Sequence, residues 1–211
     1  MWFAAMKESE TAPAKCEYCG REAVYRCGLC GKMLCMQHVR TRTVCAQCIR
    51  RARFKCRIGR LRSEGERVRI RQLVKHFWNE QQQLAFDKMF TVADLPAFVA
   101  RKGNAIIGFI SFAEEKETII IVALGVTPQY QGADVGRKLV EKIVAEAKRT
   151  DKKRLLVATS NDDLPALGFY QSLKFQIYEV KPNVIAEKHG KTLKGIAGLP
   201  IRDEIRLQRT I

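Results

Sequence analysis

A chain of 211 residues with 46% hydrophobic content is long enough for one or two packed domains and too apolar to be disordered. Lys and Arg outnumber Asp and Glu by 38 to 22, a formal charge of +16, which favours anionic partners without choosing among nucleic acid, coenzyme phosphates and acidic proteins. The longest apolar run, Ile119 to Val126, is too short to span a bilayer, and the opening MWFAAM is too short for a signal peptide, so a cytoplasmic protein with no membrane partner is expected.

Residues 1–13 read as a tail. All eight cysteines follow between Cys16 and Cys56, and the rest of the chain has none, which marks two modules. Four knuckles share one spacing: Cys16 with Cys19, Cys27 with Cys30, Cys35 with His38, Cys45 with Cys48. A two-residue turn aims both ligand atoms at one point, and two such turns complete a tetrahedron around zinc. A disulfide scaffold or free thiols is the other reading, but regular knuckles without an export signal favour two zinc ions. The order allows sequential or interleaved pairing. The interleaved form is favoured, with Cys16, Cys19, Cys35 and His38 on one ion and Cys27, Cys30, Cys45 and Cys48 on the other. Such sites are fully ligated by protein, so they are structural rather than catalytic. Cys56 fits no knuckle. Over residues 14–50 the pattern resembles the cross-braced fingers that include the B-box and HIT types.

Residues 51–62 read as a basic connector. From Arg50 to Arg62 there are seven positive and no negative side chains. The plain reading is a solvated helix or linker. The functional one is a patch for nucleic acid or an acidic protein.

The second module spans 63–211. Ser63 and Glu66 match a capping box, so a helix is expected from Glu64, with Ile70, Leu73, Val74, Phe77 and Trp78 on its apolar face. Strands are expected at Ala97–Arg101, Ala105–Ala113 and Thr118–Val126, the last covered on both faces. A helix carrying Leu139, Val140, Ile143 and Val144 follows. A strand (Leu155–Thr159), a short helix (Asp163–Leu173) and strands at Phe175–Val180 and Ile201–Gln208 complete the module. This order predicts a mixed α/β sheet.

The loop from Gln129 to Arg137 joins the apolar strand to a helix. Small residues at a helix start expose backbone amides that, with the helix dipole, can cradle a diphosphate. Gly132 and Gly136 also suit plain turn and packing roles. The segment LGVTPQYQGADVG resembles the acetyl-CoA motif of the GNAT (general N-acetyltransferase) superfamily. Asn161 to Phe175, with Ala166, Phe169 and Tyr170, resembles the second signature of that superfamily. The resemblance covers about residues 62–211 and implies an α+β fold, a mixed and mostly antiparallel sheet flanked by helices.

The resemblance also implies chemistry. Leu124, Gly125 and Val126, on the strand Val122–Val126, would pair with the pantetheine arm. The amides of Gln131, Gly132, Ala133, Asp134, Val135, Gly136 and Arg137 would hold the pyrophosphate. Tyr170 would protonate the leaving thiolate, unless it is only a core tyrosine. Asn161 would contact the coenzyme or cap the helix at Asp163. Two residues depart from the family pattern. Asp134 replaces a glycine, with a backbone form that Asp tolerates; its carboxylate would face the diphosphate, and either Arg137 and Lys138 offset that repulsion or the coenzyme binds weakly. Lys174 also replaces a glycine, at little cost if its φ is negative. No general base is evident, and Glu115, Glu117, Asp203 and Glu204 are the candidates.

The sequence thus reads as an acetyl-CoA-dependent transferase acting on an amine of a protein, peptide or small molecule. Its finger would recruit substrate or partner. The rival reading is a non-catalytic adaptor that senses CoA or binds nucleic acid or protein through a degenerate GNAT module.

Overall fold

Two backbone turns of the same form open the described chain. Cys16 N–H donates to Arg21 O and Gly20 N–H returns to Cys16 O; Cys27 N–H donates to Lys32 O and Gly31 N–H returns to Cys27 O. Gly20 and Gly31 close these turns at φ +70° and +76°, where a Cβ is disfavoured. The computed structural model describes residues 14–28, 30–40, 44–45, 48 and 56–211. The chain divides into two units, Met1–Arg53 and Phe54–Ile211.

In the first unit β1 (Tyr25–Arg26) pairs with β2 (Met33–Leu34), and β3 (Val39–Arg40) with β4 (Val44–Cys45), both antiparallel. The buried centre is Cys27, Leu34 and Cys45, with Tyr25, Val39 and Cys48 packed against it. One buried leucine is worth about 2–3 kcal/mol, so so small a unit needs cross-links to hold.

The second unit is built on a seven-stranded sheet. Its strands are β5 (Arg57–Arg60), β8 (Ala97–Lys102), β9 (Ala105–Glu114), β10 (Thr118–Val126), β11 (Arg154–Ser160), β12 (Gln176–Lys181) and β15 (Glu204–Thr210). The order is β12-β15-β11-β10-β9-β8-β5, and only β10 and β11 run parallel. The helices α1 (Glu64–Trp78), α2 (Val135–Arg149), α3 (Leu164–Ser172) and α4 (Val184–His189) complete it. This is the expected mixed, mostly antiparallel α+β sheet flanked by helices.

Half of the expected capping box forms at α1, since the Glu66 carboxylate accepts from Arg62 N, one residue before the cap. Ser63 Oγ accepts from Glu66 N, and the chain leaves the helix at Asn79, φ +57°. Ile70, Leu73 and Val74 pack with Val99, Phe109 and Ala123 of the sheet. Helix α2 buries Leu139, Val140, Ile143 and Ala147 against β8, β9 and β10. Its buried Glu146 pairs with Arg149 and with Arg60.

Several elements differ from expectation. Residues 57–60, placed in a linker or helix by their charge, form the edge strand β5 against β8. A hairpin of β6 (Gln82–Ala85) and β7 (Lys88–Thr91) turns through Phe86 and Asp87, at φ +53° and +61°. The final strand is divided: β14 (Pro200–Ile201) pairs with β13 (Leu193–Lys194), and only β15 joins the main sheet. Lys174 sits at φ +68°, so the sparing condition of negative φ is not met. Among the described residues no helix is long and apolar enough to cross a membrane.

Candidate active site and metal clusters

The ladder between β10 and β11 runs from Thr118–Arg154 to Ile121–Val157 and then stops. Both strands continue, but the β10–β9 register shifts between Ile121 and Ala123. A bulge bends a strand, and here the two parallel neighbours part. Val122 to Leu124 and Ala158 to Ser160 then line a cavity of about 530 Å³, together with Trp78, Gln83, Tyr170 and Glu204. Past the last pair, the backbone of β10 on this side has no ladder partner among the described residues, which leaves it open to a ligand.

Beyond β10 the chain turns into α2. Gly132 takes φ +78° and Asp134 φ +59°. Gln131 is fixed by its carboxamide, which donates to Val126 O at 2.9 Å. Its amide donates to Pro128 O and that of Ala133 to Tyr130 O, so these two of the expected pyrophosphate donors are engaged within the turn. Helix geometry leaves the amides of Val135, Gly136 and Arg137 without intrahelical acceptors. Asp134 does not cap them with its side chain; its carboxylate lies 3.5 Å from Arg137 Nε instead. Ala133 is buried. A Cβ at Gly136 would stand 3.3 Å from the Phe169 ring, so this glycine serves close helix packing.

Of the expected coenzyme contacts, Leu124 lines the cavity, while Gly125 lies under Phe77 and Phe109, where a Cβ would approach to 2.6 Å. Tyr170 is 6% exposed, set edge-on to Phe169 and Phe175, and lines the cavity. Asn161 has other partners. Its Nδ2 donates to Pro200 O, and its Oδ1 accepts from Arg202 N and Asp203 N. It therefore holds the 200–203 segment, and the cap of α3 is Asp163, which accepts from Ala166 N.

The four candidate bases separate cleanly. Glu115 pairs with Lys88, and Glu117 is exposed. Asp203 accepts from Asn183 N and pairs with Arg202, and the Asn183 amide first, then Arg202, holds its carboxyl below the usual range. Glu204 alone of the four lines the cavity. Sequence reasoning missed Gln83, Lys188 and His189, which also line it. Their segments carry no motif or strong periodicity.

In the first unit the ligand atoms of Cys16, Cys19, Cys35 and His38 lie within 4.8 Å of one another, as do those of Cys27, Cys30, Cys45 and Cys48. The groups interleave along the chain. Sulfur separations of 3.6 Å for Cys19–Cys35 and 3.9 Å for Cys30–Cys45 are far too long for disulfides. They suit a tetrahedron, whose edge for bonds of about 2.3 Å is about 3.8 Å. Beside His38, the Cys35 thiol is brought down to about 6, chiefly by the imidazole hydrogen bond. Cys56 belongs to neither group.

Comparison with known proteins agrees with this geometry. The model of the acetyltransferase (GNAT) family matches residues 66–175, and the chain belongs to that family. It is 25% identical over 126 residues to the L-amino acid N-acyltransferase MnaT of Escherichia coli, covering 55% of this chain and 73% of that protein. It is 22% identical over 117 residues to an L-methionine sulfoximine/L-methionine sulfone acetyltransferase of Salmonella typhimurium, covering 51% and 68%. The structure of an IAA acetyltransferase from Bacillus cereus superposes with a TM-score of 0.63 at 23% identity, over 74% of this chain and all of the other. The matches to the family model and to these two relatives are each too short to include both the transferase module and the finger.

Proposed function

We propose that the chain is an acetyl-CoA-dependent N-acetyltransferase that passes the acetyl group directly to an amine. We propose also that its N-terminal finger holds two structural zinc ions and recruits substrate or partner. One observation carries the enzymatic reading. The parted edge of β10 leads to the open amides of α2, and Tyr170 is buried in the same cavity. Acetyl-CoA supplies the activated thioester. The chain's own groups do the rest. The β10 backbone at Val122 to Leu124 aligns the pantetheine arm. The amides of Gly132 and of Asp134 to Arg137 bind the diphosphate, aided by the helix dipole, while the Ala133 amide stays with Tyr130 O. Tyr170 holds a proton for the departing sulfur; a phenol near pKa 10 matches a thiolate of similar basicity. The cysteine-free module fits direct transfer without an acyl-enzyme. The two named relatives act on amino acids, which supports a small amine acceptor.

The test is thiol release from acetyl-CoA in the presence of L-methionine sulfone and a peptide amine. Amine-dependent release that falls at least tenfold in Tyr170→Phe supports the reading. Stabilisation by CoA without any turnover would instead establish a non-catalytic CoA-binding module. For the finger, elemental analysis of reductant-protected protein should return two zinc ions, and one or none refutes the two-site scheme. Cys16→Ser and Cys35→Ser should release the same ion.

A further inference from the structure

We infer that Glu204 receives the ammonium group of the acceptor and that Arg206 is its positioning residue; this rests on the transferase reading above. Glu204 opens β15 and is 2% exposed, yet it lines the cavity that contains Tyr170. A carboxylate so far from bulk water needs a cation. The protein offers one, Arg206, whose Nε lies 2.5 Å from Glu204 Oε1.

That cation is already shared. Arg206 also binds Glu179 at 3.0 Å and Asp87 at 2.8 Å, and its guanidinium lies over the Phe86 ring. The Arg206 hydrogen bond is the main cause that holds both Asp87 and Glu179 below the ordinary carboxylate range. Lys181 pairs with Glu179 at the exposed side, 3.3 Å away. Two cations thus meet three carboxylates, and the carboxylate facing the cavity is Glu204.

The other cavity carboxylates are otherwise employed. Both oxygens of Glu80 accept from Lys188 Nζ at 3.0 Å. Asp163 caps α3 through Oδ1. A primary ammonium brings one positive charge and three donors, the complement of an incompletely neutralised carboxylate. A neutral hydroxyl of the same shape brings no charge. Glu204 therefore selects amines over alcohols and draws the acceptor nitrogen into the cavity that Tyr170 also lines. Arg206 is braced by Glu179 on β12 and by the hairpin turn at Asp87, so it fixes where that carboxylate stands.

The experiment is acceptor kinetics with L-methionine sulfone and Glu204→Gln, which keeps the shape and an acceptor for Arg206. The expected result is a KM for the amine raised at least tenfold, with the KM for acetyl-CoA and the CoA-induced thermal shift unchanged. An unchanged amine KM overturns the inference while leaving the transferase reading intact. A second measurement needs only the wild type. The 2-hydroxy analogue of L-methionine sulfone, which lacks the ammonium, should not compete with the amine at ten times the amine's KM. Equal competition by that analogue overturns the inference. A wild type that acetylates neither L-methionine sulfone nor a peptide amine overturns the transferase reading and this one together.

Discussion

The Tyr18 hydroxyl donates to Cys45 Sγ at 3.2 Å, across the boundary between the two interleaved clusters. Tyr18 lies within the Cys16–Cys19 knuckle of the first cluster, and its ring stacks on His38, centroids 5.4 Å apart. The hydrogen bond to the Cys45 sulfur is the main cause that pushes its phenol up to about 12. One side chain thus orients a ligand of each group.

Tyr18→Phe keeps the ring and its stacking and removes only the hydroxyl. Loss of such an outer partner weakens metal affinity about 10–100-fold. The expected outcome is faster zinc transfer to a chromogenic chelator from the Cys27, Cys30, Cys45, Cys48 group, with the His38-containing group less affected. Equal release from both groups would show that the hydroxyl does not act through Cys45.

Lys174 is strained by its backbone. An L-residue in the left-handed region costs about 1 kcal/mol relative to glycine. Its side chain is exposed and makes no hydrogen bond or ion pair among the described residues. Glycine's added freedom in the unfolded chain offsets part of this, so Lys174→Gly should raise stability by a few tenths of a kcal/mol up to about 1 kcal/mol in urea unfolding, and Lys174→Ala should give no comparable gain.

What could be read from the sequence follows the range of the forces involved. The knuckles, the helix cap at Ser63 and the apolar stripe of α2 are local, and they lie where their patterns placed them. The hairpin turn at Phe86 and Asp87 lacks the Asn-Gly signal of a two-residue turn. Its left-handed residues are braced by Arg206, over 100 positions away. Arg60 was equally opaque within its basic run. It stacks on Phe98 and pairs with Glu146, partners that exist only once β5 joins the sheet. Asn161 matched a family motif, but motif position does not specify hydrogen-bond partners. Its carboxamide is engaged by a segment forty residues further on.

The Glu66–Arg101 pair makes stability depend on acid. Arg101 Nε and Nη2 donate to the two carboxylate oxygens at 2.6 and 2.8 Å, and both side chains are largely buried. The Arg101 hydrogen bond is the largest cause of a lowered Glu66 pKa; burial opposes it and the Arg62 amide adds to it. A lowered folded pKa means the stabilisation is present above the unfolded value, about 4.3, and is lost as pH falls through the folded one. Glu66→Gln should cost about 2 kcal/mol at pH 7, as expected for hydrogen bonds to a charged group. The difference between the proteins should shrink below about pH 4. A gap that stays constant down to pH 3 would assign Glu66 a capping role alone.

Asp134 stands where the amides of α2 would meet the coenzyme's diphosphate, and two effects of replacing it act in the same direction. Its φ of +59° suits glycine, so Asp134→Gly relieves backbone strain of a few tenths to about 1 kcal/mol. It also removes a carboxylate, 66% exposed, from beside an anionic ligand and frees Arg137 from a 3.5 Å ion pair. A third effect opposes both, because glycine adds freedom to the unfolded chain and to the loop before binding. Electrostatics should decide, since the carboxylate would stand beside the negative charges of a diphosphate. The expected result is several-fold tighter acetyl-CoA binding by titration calorimetry, with a larger gain at low salt than at high salt. Asp134→Asn separates the causes, because it removes the charge and still tolerates the left-handed backbone. If Asp134→Asn binds acetyl-CoA as tightly as Asp134→Gly, charge is the operative term. If both variants bind more weakly than the parent, the carboxylate serves to hold Arg137 in place for the diphosphate, and the ion pair belongs to the binding site.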